Sequence, residues 1–463
     1  MPQTLERAES HGRFHPVKHA GASDTRTPGV RQALLARLGA DAGEPLLIGG
    51  IPATELVSRF GSPLYAYDAA ILREQLALVQ NALGPRIRVL HCMKANPNVA
   101  VAGVLRHAGA GGEVASAGEI HVALAAGHRG ADLHFAGPGK TREDLSLACE
   151  VGLGMLNLES VPEYEALATL CRESGARQAV GIRVNPAHAM AGTRMVMGGA
   201  SKKFGVDADA VTALARRIVA EDVLDLQGLH VYAGTQCFDA NAWLTNARAL
   251  VQLANDVERE IPHPLRIANL GGGFGVRTYD SDPVLDLALV GRGVRQLIAD
   301  DARQDRTYCV ELGRYLVAEA GFYLASVTYV KESHGERHAI LDGGMHHHAA
   351  AAGLGAVIRR SFPVVACARP GAPAEAAYTL GGPLCTPADE LGVKVDLPGL
   401  QAGDVLAFLV SGAYGLTFSN TLFLSHPLPA EVLVDRKQAW LVRERGRSDD
   451  ALRGQHQPGG EAS

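Results

Sequence analysis

The chain has 463 residues, too many for one compact core and enough for a domain of roughly 250 residues plus a smaller partner domain. Hydrophobic residues make up 47% and charged residues 20%, as is typical of a globular enzyme. The net charge of −5 gives no electrostatic reason to expect a nucleic-acid partner. The seven cysteines include no C-x-x-C pair, which predicts neither a disulfide framework nor a zinc site.

The two ends of the chain differ in character from the rest. Residues 1–43 and 446–463 are polar and rich in glycine and charge, and we expect both to be disordered tails. The first of them lacks the apolar stretch of a signal peptide, and no apolar run approaches the roughly 18 residues of a membrane span. These features predict a cytoplasmic protein without a membrane partner.

Residues 44–314 alternate short apolar runs with Ala- and Leu-rich stretches of helical period, such as VPEYEALATLCRES. This alternation is typical of βα units with parallel strands. We expect residues 44–65 to supply a leading strand to the C-terminal domain, and residues 66–314 to form a closed (β/α)8 barrel. The eight candidate barrel strands are IRVLHCMK (87–94), GGEVAS (111–116), DLHFAG (132–137), MLNLES (155–160), AVGIRVN (179–185), LQGLHVYAG (226–234), RIANLGGG (266–273) and TYCVELGR (307–314).

Residues 315–445 have a different texture, with short runs such as AAYTLGG and DVLAFLVSG separated by Gly, Pro and charged turns. This pattern predicts an antiparallel β domain. The predicted fold is therefore an α/β barrel followed by a β domain.

Polar side chains recur at the ends of the predicted barrel strands. Active sites of such barrels lie at the C-terminal ends of the strands, so these residues are candidates for chemistry. They are Lys94, Glu113, Ser116, Arg183, Asn185, His230, Tyr232, Thr235, Gly271, Gly272, Gly273, Glu311 and Arg314.

Lys94 gives the sharpest signal among them. A lysine at the end of a buried strand must be paired, neutral or covalently used, because a lone buried ammonium is costly. The alternative is a side chain that reaches past the strand end into solvent, which is the commoner fate of a lysine.

Two neighbouring strand ends suggest a phosphate site. NLGGGFG (269–275) lets backbone N–H groups approach a phosphate, and ELGR places Arg314 at the end of the next strand. A tight turn and a local Glu311–Arg314 ion pair are the alternatives, and the residues alone do not choose between them.

Three features of the β domain also stand out. GGPLCTPAD (381–389) places Cys385 in a loop, and SGAYGLTFSN (411–420) places Tyr414 among glycines, although an inert thiol and a turn-flanking aromatic are the ordinary alternatives. The run His346–His348 invites a metal, but consecutive side chains point in different directions and no carboxylate spacing supports it. No metal is therefore predicted.

Ten motifs in this order resemble the fold-type III pyridoxal-phosphate decarboxylases, which include diaminopimelate, ornithine and arginine decarboxylases. The resemblance covers roughly residues 45 to 445 and implies pyridoxal 5'-phosphate as the cofactor. The motifs are CMKANPN, EVASAGE, FAGPGK, GIRVNP, HVYAGTQ, NLGGGFG, ELGR, DGGM, GPLCTPAD and SGAYG.

The resemblance implies roles for individual residues. Lys94 matches the lysine that holds the cofactor covalently, and Glu311 matches the carboxylate that faces the pyridine nitrogen. The phosphate-binding positions match Gly271, Gly272, Gly273, Thr235, Arg314 and Tyr414, and the other implied cofactor contacts are Tyr232, His230 and Arg183.

The resemblance also implies a shared site in a homodimer. Cys385 matches a loop cysteine that reaches the neighbouring subunit's site and reprotonates Cα, and Asp342 and Thr386 match substrate-contacting positions. Three departures concern the ring contact and the substrate. Tyr232 replaces the usual ring-stacking histidine, Thr386 replaces an acidic residue, and the Arg and Tyr context that binds a distal carboxylate after DGGM is missing.

The combination of HVYAGTQ, GGMHHHAA, GPLCTPAD and SGAYG resembles the subgroup that decarboxylates L-glutamyl groups carried on an acyl-carrier protein in butirosin-type antibiotic biosynthesis. This resemblance predicts an amino-acid substrate on such a carrier, in specialised metabolism. The alternative is a free or conjugated diamino acid, of the diaminopimelate or citryl-diaminopropionate type. Non-catalytic pyridoxal-phosphate-binding barrels lack the β domain, and racemases of the alanine type lack the GPLC loop, so both classes are disfavoured.

Overall fold

The structure is a computed structural model that describes residues 29–40, 43–186, 195–196, 203–354 and 359–458. The strands up to the end of the barrel are β1 (Leu47–Ile48), β2 (Ile51–Pro52), β3 (Leu64–Asp68), β4 (Ile87–Cys92), β5 (Gly111–Val114), β6 (Leu133–Phe135), β7 (Met155–Leu158), β8 (Gln178–Asn185), β9 (Met195–Val196), β10 (Val206–Asp207), β11 (Leu224–Val231), β12 (Gly234–Thr235), β13 (Ile267–Gly272) and β14 (Thr307–Leu312).

The remaining strands belong to the C-terminal part of the chain, and the helices pack mainly around the barrel. These strands are β15 (Gly321–Ser333), β16 (Glu336–Leu341), β17 (Val364–Ala366), β18 (Ala376–Gly381), β19 (Glu390–Leu397), β20 (Val405–Phe408), β21 (Ala430–Asp435) and β22 (Gln438–Arg443). The helices are α1 (Val30–Arg37), α2 (Ala53–Phe60), α3 (Ala69–Leu83), α4 (Val99–His107), α5 (Ala117–Ala125), α6 (Arg142–Val151), α7 (Val161–Ser174), α8 (Val211–Val219), α9 (Ala240–Glu260), α10 (Leu287–Asp300) and α11 (Arg314–Val317).

Eight parallel strands close into a barrel, which confirms the predicted fold. Going round the barrel they are β4, β5, β6, β7, β8, β11, β13 and β14, and β14 pairs with β4. Each of them overlaps one of the predicted runs. Several helices begin directly after a strand because a polar residue there caps the first turn: Ser116 accepts a hydrogen bond from the backbone N–H of Glu119, and Ser160 accepts one from that of Glu163.

The β domain is a mixed sheet, so the prediction of an antiparallel domain is correct for most of its pairs and wrong for two. β16 runs parallel to β18, and β21 runs parallel to β3. The parallel pair β3–β21 is possible because long stretches of chain separate its strands, as parallel pairing requires. The leading strand is β3, at the end of the predicted 44–65 segment and partly beyond it. β3 lies between β15 and β21, in the middle of the C-terminal sheet.

The predicted N-terminal tail is wrong for residues 30–37, which form α1. Val30, Leu34 and Leu35 of this helix are buried, and the backbone N–H of Val30 donates to the Asp280 carboxylate at 2.6 Å. Apolar contacts of this kind stabilise a short helix even where the flanking sequence is polar and predicts a tail. Residues 1–28 of the predicted tail lie outside the described residues.

The predicted C-terminal tail is described up to residue 458. Gly446 donates its backbone N–H to the carbonyl of Leu428 at 2.9 Å, and Asp450–Leu452 forms a single 3-10 turn. These contacts continue the ordered structure past the predicted boundary at 445. Residues 459–463 lie outside the described part of the chain.

The barrel interior carries a layer of buried polar side chains. Asn269 Nδ2 on β13 lies 3.5 Å from His134 Nδ1 on β6. These two strands are not neighbours in the barrel, so both side chains point into its interior. His230 and Glu311 are equally buried beside them. Among the described helices, none is long and apolar enough to cross a bilayer.

Candidate active site

A small cavity at the C-terminal end of the barrel surrounds Lys94. It brings together six of the residues that the sequence singled out, contributed by barrel strands, the loops after them and the β domain. The cavity is lined by Cys92, Lys94, Tyr232, Thr235, Gly273, Phe274, Leu312, Gly313, Arg314, Tyr315 and Tyr414.

Lys94 lies in a 3-10 turn, Met93–Ala95, directly after β4. Its Nζ donates to both carboxylate oxygens of Glu113, at 3.1 and 2.9 Å, and lies 5.3 Å from the centre of the Tyr232 ring. Burial disfavours the charged form, but Glu113, together with smaller effects of Cys92, Tyr232 and Tyr414, outweighs it and raises the pKa of the Lys94 ammonium well above its usual value. The side chain is 35% exposed, so Nζ is paired and remains accessible.

Glu113 was recognised in the sequence only as a polar residue near a strand end. It lies on β5, next to β4, and is 1% exposed. Burial raises the pKa of its carboxyl, and Lys94 opposes that rise. Sequence reasoning missed the contact with Lys94 because it depends on the pairing of β4 with β5.

Glu311 is a buried carboxylate held by two neighbours inside the barrel. Asn269 Nδ2 donates to Oε1 at 2.6 Å, and His230 Nε2 lies 3.0 Å from Oε2. Burial alone would raise the pKa of the Glu311 carboxyl, but the adjacent His230 ring lowers it to about 2. The group is therefore anionic at neutral pH, and His230 contacts Glu311 rather than lining the cavity. Asn269 gave no signal beyond its place in NLGGGFG.

The glycine triplet after Asn269 is required by barrel packing. A Cβ on Gly272 would lie 1.5 Å from the carbonyl oxygen of Glu311, and Gly271 has a φ of +70°. These constraints account for the first two glycines without a ligand. Gly273 lines the cavity, and phosphate binding by the triplet remains a prediction.

Arg314 and Tyr414 lie together at the cavity wall. The guanidinium carbon of Arg314 is 4.6 Å from the centre of the Tyr414 ring, and the backbone N–H of Tyr414 donates to the carbonyl of Ala95 at 2.8 Å. The second contact ties the β-domain loop directly to the turn that carries Lys94.

Arg183 is placed elsewhere in the barrel. Its Nη1 donates to Glu159 Oε1 at 2.7 Å, and its guanidinium carbon lies 4.8 Å from the centre of the Phe204 ring. The other oxygen of Glu159 accepts the backbone N–H of Gly205 at 3.1 Å. Arg183 is not among the described residues that line the Lys94 cavity, and its cofactor contact remains a prediction.

The three predicted substrate and proton-donor residues also lie away from this cavity. Asp342 accepts the backbone N–H of Ser326 at 2.9 Å. Cys385 is exposed in the loop between β18 and β19, and the hydroxyl of Thr386 accepts the N–H of Ala388 at 3.3 Å. Their roles in substrate binding and proton donation stay predictions.

The cavity residues fit pyridoxal phosphate. An accessible amine for the aldehyde, an aromatic ring beside that amine, a charged carboxylate and a guanidinium lie at or next to one site, in Lys94, Tyr232, Glu311 and Arg314. When bound, the cofactor supplies an electron sink for the electron pair left by the departing carboxylate. Among the described residues, no group of three or more His, Cys, Asp or Glu side chains could hold a metal ion.

Comparison with known proteins agrees with this fit. Residues 69–318 match the pyridoxal binding domain of the pyridoxal-dependent decarboxylases. The chain is 36% identical to the L-glutamyl-[BtrI acyl-carrier protein] decarboxylase of Niallia circulans over 406 residues, which cover 86% of this chain and 95% of that protein. It is 34% identical to the diaminopimelate decarboxylase of Pseudomonas aeruginosa over 402 residues, covering 86% and 94%.

A solved structure shows the same architecture. Diaminopimelate decarboxylase from Helicobacter pylori, complexed with L-lysine, superposes with a TM-score of 0.78 at 25% identity, covering 86% of this chain and 98% of that one. Sequence, fold and cavity therefore agree, and the chain belongs to the pyridoxal-dependent decarboxylases, as a carboxy-lyase that uses pyridoxal phosphate.

Proposed function

We propose that this decarboxylase removes the α-carboxylate of a glutamyl-type amino acid that is tethered through its distal carboxyl to an acyl-carrier protein. The observation that carries the proposal is that the described loop around Cys385 offers no free charged side chain. A tethered distal carboxyl is a thioester and bears no charge, so its enzyme needs no charged partner for it. The identity of 36% with an L-glutamyl-[BtrI acyl-carrier protein] decarboxylase supports the same substrate class.

The carboxylate of this loop already accepts hydrogen bonds from the protein's own backbone. Asp389 is the one acidic residue in the loop 382–389, and it is 3% exposed. Its Oδ1 accepts the backbone N–H of Met345 at 2.6 Å, and its Oδ2 accepts that of Leu384 at 2.8 Å. A diamino acid would bring a distal ammonium that needs an anionic partner once it is desolvated. Thr386, next to Cys385, cannot supply one.

The second candidate is a free or conjugated diamino acid. It is favoured by the identity of 34% with a diaminopimelate decarboxylase over most of both chains. The two substrates share the same chemistry at Cα, so they differ only in what meets their distal ends.

Within the site, each residue has a task that its contacts allow. Glu113 orients Lys94 Nζ through a hydrogen bond of 2.9 Å and favours its charged form, so the amine becomes nucleophilic only once that proton is lost. Glu311 stays anionic because its pKa is about 2. The Cys385 thiol would return a proton to Cα after carbon dioxide leaves, which requires that it reach a site.

We further propose a homodimer in which each Cys385 serves the neighbouring chain. The support is that Cys385 is exposed and is absent from the described lining of the Lys94 cavity in its own chain. A second copy of the loop 382–389 could close the open side of that cavity.

A carbon dioxide assay tests the substrate. The purified protein is given glutamyl-carrier protein, free L-glutamate and meso-diaminopimelate, with Lys94→Ala as the inactive control. We expect release from the carrier-bound substrate, with kcat/KM for both free amino acids at least about 100-fold lower. An equal or higher kcat/KM for meso-diaminopimelate would overturn the proposal in favour of the second candidate.

A further inference from the structure

The run His346–His348 follows β16 and has no task in the site as described so far. All three side chains are buried, at 0%, 3% and 0% exposure. Burial lowers the pKa of His346, His347 and His348 to about 3, about 4 and about 3, so all three are neutral at physiological pH. Among the described residues they belong to no group that could hold a metal ion, and hydrogen bonds join the run to another segment of the β domain.

Three hydrogen bonds join the histidine run to one segment of the β domain, residues 411–427. They are made by three consecutive residues, 347–349. His348 Nε2 bonds to Ser411 Oγ at 2.9 Å, the backbone N–H of Ala349 donates to Ser419 Oγ at 2.9 Å, and His347 Nε2 bonds to the Pro427 carbonyl at 2.9 Å.

The hydrogen-bond pattern around His348 defines its tautomer. Ser411 donates its hydroxyl hydrogen to the carbonyl of Phe408 at 2.8 Å, so its oxygen accepts from His348 Nε2–H. His348 Nδ1 accepts the backbone N–H of Ala351 at 3.3 Å. Both ring nitrogens of the neutral ring are therefore used, and the ring is fixed in orientation.

The segment 411–427 includes Tyr414, which lines the Lys94 cavity. Tyr414 has a φ of +52°, and Val410 just before the segment has a φ of +60°. Left-handed backbone at two residues other than glycine is costly and persists only where the surroundings hold it. The hydrogen bonds from His348 to Ser411 and from His347 to Pro427 stabilise this backbone at both ends of the segment.

The same run is joined to the loop that carries Cys385. Asp389 accepts the backbone N–H groups of both Met345, just before the run, and Leu384, just before Cys385. The Cys385 loop, the histidine run and the Tyr414 segment are therefore connected by direct hydrogen bonds.

We propose that His347 and His348 are positioning residues, which fix the segment 411–427 so that Tyr414 stands in the cofactor cavity beside Arg314. The role relies on the family's cofactor but not on the carrier-bound substrate. It explains why neutral, buried histidines occupy this place, because each presents a donor at a distance that shorter polar side chains do not span.

The test uses His348→Leu, which removes the hydrogen bond, and His348→Gln, whose Nε2 can replace that of histidine. His338→Leu is the matched control, since His338 lies on β16 of the same domain and none of the described side-chain hydrogen bonds joins it to residues 411–427. Two quantities are measured without substrate: the Kd for pyridoxal phosphate and the amide hydrogen exchange of residues 411–427 in the cofactor-free protein.

We expect His348→Leu to weaken pyridoxal phosphate binding about tenfold, the effect of losing one buried hydrogen bond, and to speed exchange in residues 411–427 more than in the barrel strands. His348→Gln should restore most of both quantities, and His338→Leu should change neither.

Ser411→Ala removes the same bond from its other side, which keeps the test decisive if His348→Leu does not fold. It should reproduce the local rise in exchange. Unchanged exchange in 411–427 for Ser411→Ala, or equal effects for His338→Leu and His348→Leu, would overturn the proposal. Because no substrate is present, neither result depends on which amino acid the enzyme decarboxylates.

Discussion

The proton on Lys94 is controlled at the scale of single residues by Glu113. The two groups are 2.9 Å apart, and the carboxylate raises the pKa of the ammonium well above its usual value. A lysine must lose its proton before it can bond to an aldehyde, so if Lys94 holds the cofactor as predicted, its pKa determines the pH at which the cofactor can attach. The buried carboxylate next to it therefore holds that proton on the amine.

Replacing Glu113 with Gln should therefore lower the pKa of Lys94. With the anionic partner gone, burial remains and favours the neutral amine. We expect the rate at which pyridoxal phosphate rebinds to the cofactor-free protein to reach half its maximum at a lower pH than in the wild type. Stopped-flow absorbance from about pH 7 to about pH 12 measures this, since the raised wild-type midpoint lies above the ordinary lysine pKa of about 10.4. Glu119→Gln is the matched control, and a midpoint unchanged in Glu113→Gln would contradict the assignment.

Thr386 tests the distal end of the substrate at the same scale. If the lack of a free charged side chain in the described Cys385 loop is what disfavours a distal ammonium, Thr386→Glu should raise kcat/KM for meso-diaminopimelate by about tenfold and lower it for glutamyl-carrier protein. Thr386→Ser is the control, because it keeps a small hydroxyl. Steady-state kinetics on both substrates decide the matter, and a Thr386→Glu enzyme with the wild-type preference would count against the proposed role of this loop.

Among single residues, the sequence identified those that chemistry requires at strand ends and missed those that act through a neighbour. Lys94, Tyr232 and Arg314 could be predicted to meet because parallel strands of a barrel end at one face. Asn269 and His134 could not, since their contact crosses the barrel interior between strands that are not adjacent. Such contacts depend on how the barrel closes, which no local pattern specifies.

At the scale of elements, a buried lysine ties together the loop before α6, the strand β7 and the helix α7. Lys140 Nζ donates to the carbonyls of Gly137 and Asn157, both at 2.8 Å, and to Glu163 Oε1 at 2.6 Å. The Lys140 side chain is 1% exposed and that of Glu163 is 7% exposed. All three donor positions of the ammonium are used, so the charge is compensated within the fold.

Removing this lysine should destabilise the protein strongly. Lys140→Met leaves a buried carboxylate without its partner, and we expect the free energy of unfolding, from urea titration, to fall by about 3 kcal/mol or more. Arg142→Met is the control, because its ion pair with Glu173 is exposed and should contribute less than about 1 kcal/mol. Adding Glu163→Gln to Lys140→Met should restore part of the loss, and equal losses in the two single methionine variants would refute the argument.

Strand positions were predictable at this scale, but strand ends were not. The run 307–314 was read as one strand, whereas β14 ends at Leu312 and α11 begins at Arg314. The error has a physical cause, because polar residues that follow a strand at the active face belong to the loop that presents them. α1 was missed for another reason. Its partners, such as Asp280, lie far away along the chain, so nothing local marks it as packed.

At the scale of the whole molecule, one loop of the β domain contacts the active face of the barrel in its own chain and another loop is exposed. The loop with Tyr414 reaches the Lys94 turn of its own chain through the bond to the Ala95 carbonyl. The loop with Cys385 stays exposed, and Cys385 does not line the described cavity. The two loops are nevertheless linked through Asp389 and the histidine run. A second chain that brought its own Cys385 to this cavity would complete the site.

This arrangement predicts that two inactive variants can restore each other. Lys94→Ala lacks the proposed cofactor lysine, and Cys385→Ser lacks the proposed proton donor, so each should be nearly inactive as a homodimer. After the two are mixed in equal amounts and allowed to exchange subunits, half of the dimers contain both variants. Each mixed dimer has one site with both residues intact, so activity should recover to about a quarter of the wild-type value. Native mass spectrometry confirms the exchange, and mixed dimers that form without activity would show that Lys94 and Cys385 act within one chain.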